Sequence, residues 1–424
     1  MKICFVQPNT DYQIQKNRHA LALTFPTMIV DMQLETADYC IYVEGKCEET
    51  FDAFLEKTKP THVLITAITS TFPYALSMAQ IAKKHGCIVA IGGIFPSVVA
   101  PLIEKSFHCF DYIVSGYANA EMLDIIRDKP DHPTVISARE RPGYGKRLGS
   151  VITDSRFRQI YPSSDNVCYE LANGCKYNCS FCSMRRAFPD HRIKRRGLDV
   201  ISDDLSMLKK YWHKLKLIDD DICNSSDLLA QIDFGGFDEI IAETRLDNIT
   251  DENMRRFQAA GITHLIVGVE SFDTSFLRHS RKTPDPNAWE QRINQAIELF
   301  IKYNIVFRPV VMITNAYTTI NGLEALRDKL TGWQPKNNVQ LLCSFFTPHP
   351  GMYKKSEYSR LLTYHLSYFD HLHCVWLPPM ISVQELECLS SIYGEIVKLT
   401  ESEDYNPMID FSFEDGSEFS CFFE

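Results

Sequence analysis

The chain has 424 residues, 45% of them hydrophobic, with 44 basic and 54 acidic side chains and a formal net charge of −10. That length calls for two or three domains with ordinary apolar cores, and the acidic balance argues against a nucleic-acid partner. No run approaches the ~18 apolar residues of a membrane span, and the opening "MKICFVQPNT" reads as a first strand and not a signal peptide, so a cytoplasmic protein with no membrane partner is expected.

Residues 1–128 alternate strand and helix signals. "KICFV", "THVLITAI", "CIVAIGG" and "YIVSG" read as strands, with helices expected over 74–85 and 97–106. Near-continuous β-branched runs between helices predict a doubly wound parallel sheet covered on both faces. Gly92, Gly93 and Gly116 fall at strand ends, which places a ligand face at the carboxyl edge of the sheet. Residues 129–160, with "KPDHP" and "ERPGYGKR", read as a linker. From 161 to 352 a second series follows: "NVCYEL", "KLKLID", "DEIIAE", "THLIVGV", "IVFRPVVMI" and "VQLLCSFF", with helices expected at 201–211, 252–260 and 286–303. This α/β pattern predicts a partial parallel β/α barrel whose working groups lie at the carboxyl ends of its strands. Residues 353–424 read as a small helical extension, with helices at 358–369 and 383–400 capping the barrel mouth and setting specificity.

Fourteen cysteines without a secretory signal imply reduced thiols, and Cys4, Cys40, Cys87 and Cys343 sit in apolar runs as small core residues. "NGCKYNCSFCSMRRAF" differs: it holds Cys175, Cys179 and Cys182 on the loop after the first barrel strand. A structural zinc normally takes four protein ligands, and only His191 offers itself as a distant fourth. A C-x-x-C redox pair would leave Cys175 unexplained. Three thiolates can hold three irons of a 4Fe-4S cluster and leave the fourth open. Zinc and plain structural cysteines stay as alternatives on spacing alone.

"CKYNCSFC" resembles the C-x-x-x-C-x-aromatic-C signature of the radical S-adenosylmethionine superfamily, with Phe181 at the aromatic position. The resemblance implies a 4Fe-4S cluster on the three cysteines, with S-adenosylmethionine bound at the open iron and cleaved to a 5′-deoxyadenosyl radical. It also implies a small-molecule or peptide substrate and a flavodoxin- or ferredoxin-type electron donor. "LIDDDICN" resembles the acidic end of the second strand in this family, which puts Asp219 and Asp220 near the cofactor. "AETRLDNITDENMRRFQAAG" resembles the third-strand segment, with Glu243 and Arg245 reaching the cofactor. "IVGVESFDTSFLRHSRK" resembles the fourth, with Glu270 at the acidic position, and "FFTPHPGM" the turn after the sixth. A solvated turn at 219–221 and a surface ion pair at "ETR" are the plainer readings; a lone buried Glu270 is harder to explain without a partner.

The first domain resembles the cobalamin-binding domain that precedes the barrel in one class of this superfamily. That implies cobalamin lined by Thr69, Ser70, Gly92, Gly93 and Gly116, its tail beside the glycine pair. The loop 8–18 would shield the lower face, with no histidine on cobalt before His19. The D-x-H-x-x-G motif is absent, and the usual glutamate-rich turn reads "GYANAE", so Phe95 or Tyr117 filling the tail cavity is the competing view. Arg308, held extended by Pro309, is a candidate for a substrate carboxylate or a structural ion pair. The basic stretch 185–196 is a candidate for phosphate, nucleic acid or an acidic protein, or a solvated loop. The expected function is cobalamin-dependent methylation of an unactivated carbon. The alternatives are a cobalamin-independent rearrangement, cyclisation or oxidation with the first domain as scaffold, and a non-catalytic iron–sulfur redox sensor.

Overall fold

The computed structural model describes residues 1–10, 24–35, 37–139, 145–161, 166–188, 192–333, 338–400, 413–414 and 416–423. Strands β1 (Ile3–Gln7), β2 (Tyr39–Val43), β3 (His62–Thr66), β4 (Ile88–Gly92), β5 (Tyr112–Gly116) and β6 (Thr134–Ala138) form a parallel sheet in the order β2-β1-β3-β4-β5-β6. Successive side chains alternate between two apolar layers. Ile3, Phe5, Leu64, Ala90 and Val114 pack with Phe25, Ile29 and Met122 on one face. Cys4, Val6, Val63, Ile65, Val89 and Ile113 meet helices Phe51–Thr58, Phe72–Lys84 and Ile94–Ser106 on the other. Burial on both faces is why these strands read as unbroken apolar runs.

Two strands escape the sequence reading. β2 was not singled out, and β6 lies inside the span expected to be linker. β6 is an edge strand with Ser137 exposed and only Ile136 and Ala138 buried, so it carries no apolar run. Residues later in that span are helical, over Gly149–Ile152 and Ser155–Ile160. The buried Asp204 carboxylate accepts from Leu148 N (2.9 Å), Gly149 N (2.7 Å) and Tyr169 Oη (2.8 Å), which fastens this connection to the barrel.

The second sheet contains β7 (Val167–Tyr169), β10 (Lys214–Leu217), β11 (Glu239–Arg245), β12 (His264–Glu270), β13 (Val306–Met312) and β14 (Leu342–Ser344). A short antiparallel pair, β8 (Ala172–Asn173) and β9 (Lys194–Arg195), stands apart. The order β14-β13-β12-β11-β10-β7, all parallel, is the expected partial barrel. Leu265, Val267 and Val269 of β12 are buried, while His264, Ile266, Gly268 and Glu270 occupy its more open face. Period-two alternation therefore delivers Glu270 to the barrel mouth, and Arg308 shares the open side of β13.

The extension departs from expectation. No helix forms over 358–369, only short turns at Lys355–Tyr358 and Leu366–Tyr368. Leu366, Phe369 and Trp376 are drawn into the apolar layer of the first domain, which competes with a local helix. Helix Leu386–Lys398 forms and lies against the outer barrel helix Ile320–Thr331, with Tyr393 packed on Phe345 just past the end of β14 (4.9 Å). Near the carboxyl end, Phe422 packs on Phe72 (5.4 Å), Phe95 (5.2 Å) and Phe107 (5.5 Å).

Candidate functional site

Cys175, Cys179 and Cys182 are all partly buried on the loop that follows β8. The loop is tied at several points. Gly174 N donates to Asp220 Oδ2 (2.8 Å), and Asn224 Nδ2 donates to Gly174 O (2.7 Å). Gly174 has φ +103, and a Cβ there would run into the backbone of Arg192 and Ile193, so only glycine fits the turn. Ser180 N donates to Ser280 O (3.0 Å), joining the loop to the segment after β12. Phe181 stacks on Phe276 (6.1 Å), so the aromatic position braces the loop from that same segment.

Burial raises the thiols of Cys175 and Cys182 above their ordinary value. Asp221 adds to this at Cys175 and Cys179 at Cys182, so the cysteines feel one another and the acidic end of β10. Among the described residues no three His, Cys, Asp or Glu side chains converge on a point that would hold a single ion. Thiolates on one zinc lie within roughly 4.6 Å of each other, twice the ~2.3 Å Zn–S bond. The donor chemistry of three thiols on one loop fits a cluster in which each thiolate takes its own iron.

Arg245, at the end of β11, links this loop to the barrel mouth. Its guanidinium donates to Cys179 Sγ (3.1 Å), to Asp247 Oδ2 (2.9 Å) and to the carbonyl of Lys282, and lies over the Tyr177 ring at 3.7 Å. Glu270 ends β12 with φ +66, at a register shift against β13. Lys282 Nζ donates to its carboxylate at 2.8 Å, and the two side chains are 4% and 13% exposed. Lys282 is thus the partner that a buried Glu270 required. Gly268 leaves room for the pair, since a Cβ there would lie 2.6 Å from Lys282 Nζ and nearer still to Glu270 Oε1.

The acidic run after β10 is divided by depth. Asp219 is buried and accepts from Leu171 N (2.8 Å) and Ala172 N (2.9 Å); burial holds its carboxyl well above the usual range. It serves the backbone leading into the cysteine loop. Asp220 faces that loop through Gly174. Asp221 accepts from Thr244 Oγ1 (2.8 Å) and Asn248 Nδ2 (2.7 Å). Glu243 lies one layer below Arg245 and pairs with Lys216 at 2.9 Å; the charge of Arg308 acts on Lys216 and on His264. The structure thus brings Cys179, Arg245, Lys282 and Glu270 into one chain of contacts, with Glu243 and Arg308 deeper in the barrel.

Sequence reasoning also missed a histidine pair. His349 Nε2 and His371 Nε2 are 3.1 Å apart, and His349 Nδ1 is buried without a partner. Asp370 accepts from Leu372 N and His373 N, holding the turn in which His371 takes φ +66, and His371 O accepts from Phe345 N at the end of β14. Burial lowers the His349 imidazole well below its ordinary range, and the neighbouring His371, itself exposed, adds to this. No local pattern marks residues joined only by this turn.

In the first domain, Thr69 and Ser70 are buried in the loop after β3. Gly93 has φ +108, and a Cβ there would lie 2.6 Å from Ala67 O; at Gly116, φ +107, it would collide with the Ala138 carbonyl. These glycines answer first to the protein's own backbone. Ser97 Oγ accepts from Gly116 N (2.9 Å) and donates to Gly93 O (2.7 Å), stitching the ends of β4 and β5. Phe95 turns into the aromatic cluster with Phe72 and Phe422, whereas Tyr117 stacks on Phe188 at 4.5 Å. Residues 11–18 of the loop expected to shield a corrin, with His19 and His191, lie outside the described residues.

Residues 169–321 match the family model of the radical SAM superfamily. Two curated relatives are anaerobic magnesium-protoporphyrin IX monomethyl ester cyclases. The one from Rubrivivax gelatinosus is 27% identical over 50% of this chain and 44% of its own length. The one from Synechocystis is 20% identical over 72% of this chain and 66% of its own. The chain therefore spans less than two thirds of each. Among solved structures, the radical S-adenosylmethionine methyltransferase TsrM from Kitasatospora setae superposes with TM-score 0.66 at 14% identity, covering 82% of this chain and 73% of that one. The cobalamin-dependent S-adenosylmethionine radical enzyme OxsB gives 0.61 at 12%, covering 80% and 52%. At these identities the likeness to the solved structures is one of fold.

Proposed function

We propose, from the match of residues 169–321 to the radical SAM superfamily model, that the chain is a radical S-adenosylmethionine enzyme that catalyses cobalamin-dependent methylation of an unactivated carbon in a small-molecule or peptide substrate. The observation that carries the radical part is Arg245, which touches Cys179 on one side and the Lys282 segment behind Glu270 on the other. Cys175, Cys179 and Cys182 hold the cluster, which when bound supplies the electron that cleaves S-adenosylmethionine. Arg245 fixes the Cys179 side of the loop with a charge-assisted fork. Glu270, oriented by Lys282, and Asp220 present carboxylates to the cationic amino group of the cofactor, and Phe181 braces the loop. Glu243 and Arg308 lie deeper, where a substrate would enter the barrel, and Arg308 is the candidate for a substrate carboxylate. The shared fold with cobalamin-dependent enzymes supports the first domain as the cobalamin carrier, with Thr69, Ser70, Gly92, Gly93 and Gly116 at its ligand edge.

A second reading, cobalamin-independent cyclisation or oxidation, draws on the cyclase names of the curated relatives and on Phe95, whose ring fills space beside β4. Anaerobic turnover under a strong reductant, or with a flavodoxin-type donor, separates the two. Hydroxocobalamin retained at near stoichiometry, with both 5′-deoxyadenosine and S-adenosylhomocysteine formed, supports methylation. 5′-Deoxyadenosine alone, with no cobalamin retained, moves the assignment to the second reading. Neither product from a protein with full iron refutes radical cleavage altogether.

A further inference from the structure

The seam between the two domains contains a cleft of about 140 Å³ at the carboxyl ends of β5 and β6. Arg139 follows β6, and Arg186 sits on the short helix Met184–Ala187 just past Cys182, so each domain contributes one guanidinium. Tyr117 and Phe188 stack across the seam, and Tyr117 Oη also donates to Asn173 Oδ1 (3.3 Å). Ser137 adds an exposed hydroxyl, and among the described residues no lining side chain is acidic. Among the described residues neither Arg139 nor Arg186 forms an ion pair with a carboxylate, whereas Arg147, Arg156, Arg195, Arg245, Arg292 and Arg327 each do.

We propose that Arg139 and Arg186 clamp a phosphate group between the two domains. Two guanidinium groups lining one cleft with a hydroxyl suit a phosphate, because each planar fork can donate two parallel hydrogen bonds to its oxygens. The volume admits a phosphate and little more, whereas a whole drug-sized ligand needs roughly 300 Å³ or above. The phosphate is therefore one end of a larger molecule or a free ion. Two sources share this chemistry: the phosphodiester of a nucleotide tail on a corrin, and a phosphate on the substrate or in solution. The first rests on the cobalamin reading above; the clamp itself does not. Because Arg186 is on the helix that closes the cysteine loop, an anion here also ties that loop to the sheet of the first domain.

The test uses the full chain with its cluster reconstituted anaerobically. Equilibrium dialysis compares hydroxocobalamin, cobinamide (which lacks the nucleotide and its phosphodiester) and inorganic pyrophosphate. The proteins are wild type, Arg139→Gln/Arg186→Gln, and Arg185→Gln, which removes a neighbouring charge outside the cleft. Loss of each charge-assisted contact weakens binding about ten-fold, so the double variant should lose about a hundred-fold for a phosphate-bearing probe and nothing for cobinamide. Cobalamin bound more tightly than cobinamide, with that preference lost only in the double variant, identifies the nucleotide tail. Pyrophosphate binding lost in the double variant, with no cobalamin bound by any protein, upholds the clamp and removes the cobalamin reading alone. Equal binding of every phosphate-bearing probe to wild type and double variant, or binding of none, overturns the clamp. Iron content and thermal midpoint, measured on each protein, confirm that the comparison is between folded molecules.

Discussion

Replacing Gly268 by alanine tests whether the Glu270–Lys282 pair is positioned for a cofactor or merely satisfies a buried charge. The new Cβ would lie 2.6 Å from Lys282 Nζ, where ordinary contact begins at 3.4 Å, so the ammonium must retreat by 3.4 − 2.6, about 0.8 Å, and Glu270 Oε1 by at least as much. Both colliding atoms are ends of flexible side chains, so crowding costs near the low end of the ~1–3 kcal/mol expected for overpacking. Replacing glycine inside a strand returns about 0.5–1 kcal/mol. Net stability should therefore stay within about 1 kcal/mol of wild type. Displacing a positioned carboxylate by nearly 1 Å is another matter, and a ten-fold or greater loss of S-adenosylmethionine affinity is expected, on the scale by which ~1 Å misplacements cost up to ~100-fold. Urea unfolding and equilibrium dialysis against S-adenosylmethionine, at matched iron content, measure the two effects separately. Glu270→Gln should show the same affinity loss plus several kcal/mol of instability, about 3–5, because it leaves the Lys282 ammonium buried without its carboxylate. A folded Gly268→Ala protein with full iron and unchanged cofactor affinity would refute the reasoning.

Cys179→Ala should lose bound iron and all S-adenosylmethionine cleavage, while Cys388→Ala, at an exposed cysteine, retains both; full iron in the first variant would dismiss the cluster assignment. Arg245→Lys keeps the charge but not the fork that joins Cys179, Asp247 and the Lys282 carbonyl, and should slow cleavage about ten-fold or more, since charge-assisted bonds contribute about 1.5–3 kcal/mol each; wild-type cleavage rates would contradict this. Burial lowers His62, His264 and His349 below the usual imidazole range, His349 with help from the adjacent His371. The unfolded chain then takes up protons that the folded one refuses below about pH 6.5, so stability is full above that pH and declines as pH falls toward the folded values. The His349→Gln/His371→Gln double variant should decline less steeply from pH 6.5 to 5, and parallel urea midpoints for the two proteins would remove the pair from that account. Gly116→Ala meets both a positive φ and the Ala138 carbonyl, so a loss of about 2 kcal/mol or more is expected by urea unfolding; a neutral result would mean the β5–β6 edge rearranges freely.

The cysteine trio was legible as a group without a fold because its members are local: a single loop sets their spacing. The inner strands were legible for a related reason, since burial on both faces turns each into an apolar run. β6 was not, because an edge strand with one open side has no such run. The sequence pointed to Arg245 and Glu270 as residues at strand ends, but their partners depended on register. Only the parallel pairing of β11 with β12, and the return of the chain at 282, puts a guanidinium on Cys179 and an ammonium on Glu270. Glycines at 93 and 116 were visible as positions without a side chain, yet the atoms that exclude one are the carbonyls of Ala67 and Ala138, contributed by other segments of the sheet. His349 and His371 meet across 22 residues through a left-handed turn, and Arg139 and Arg186 line one cleft from different segments of the chain. Local patterning encodes which groups a chain owns and which face each one takes. Which groups end within bonding distance of each other is decided by packing between segments, and that information is not carried by any one stretch of the chain.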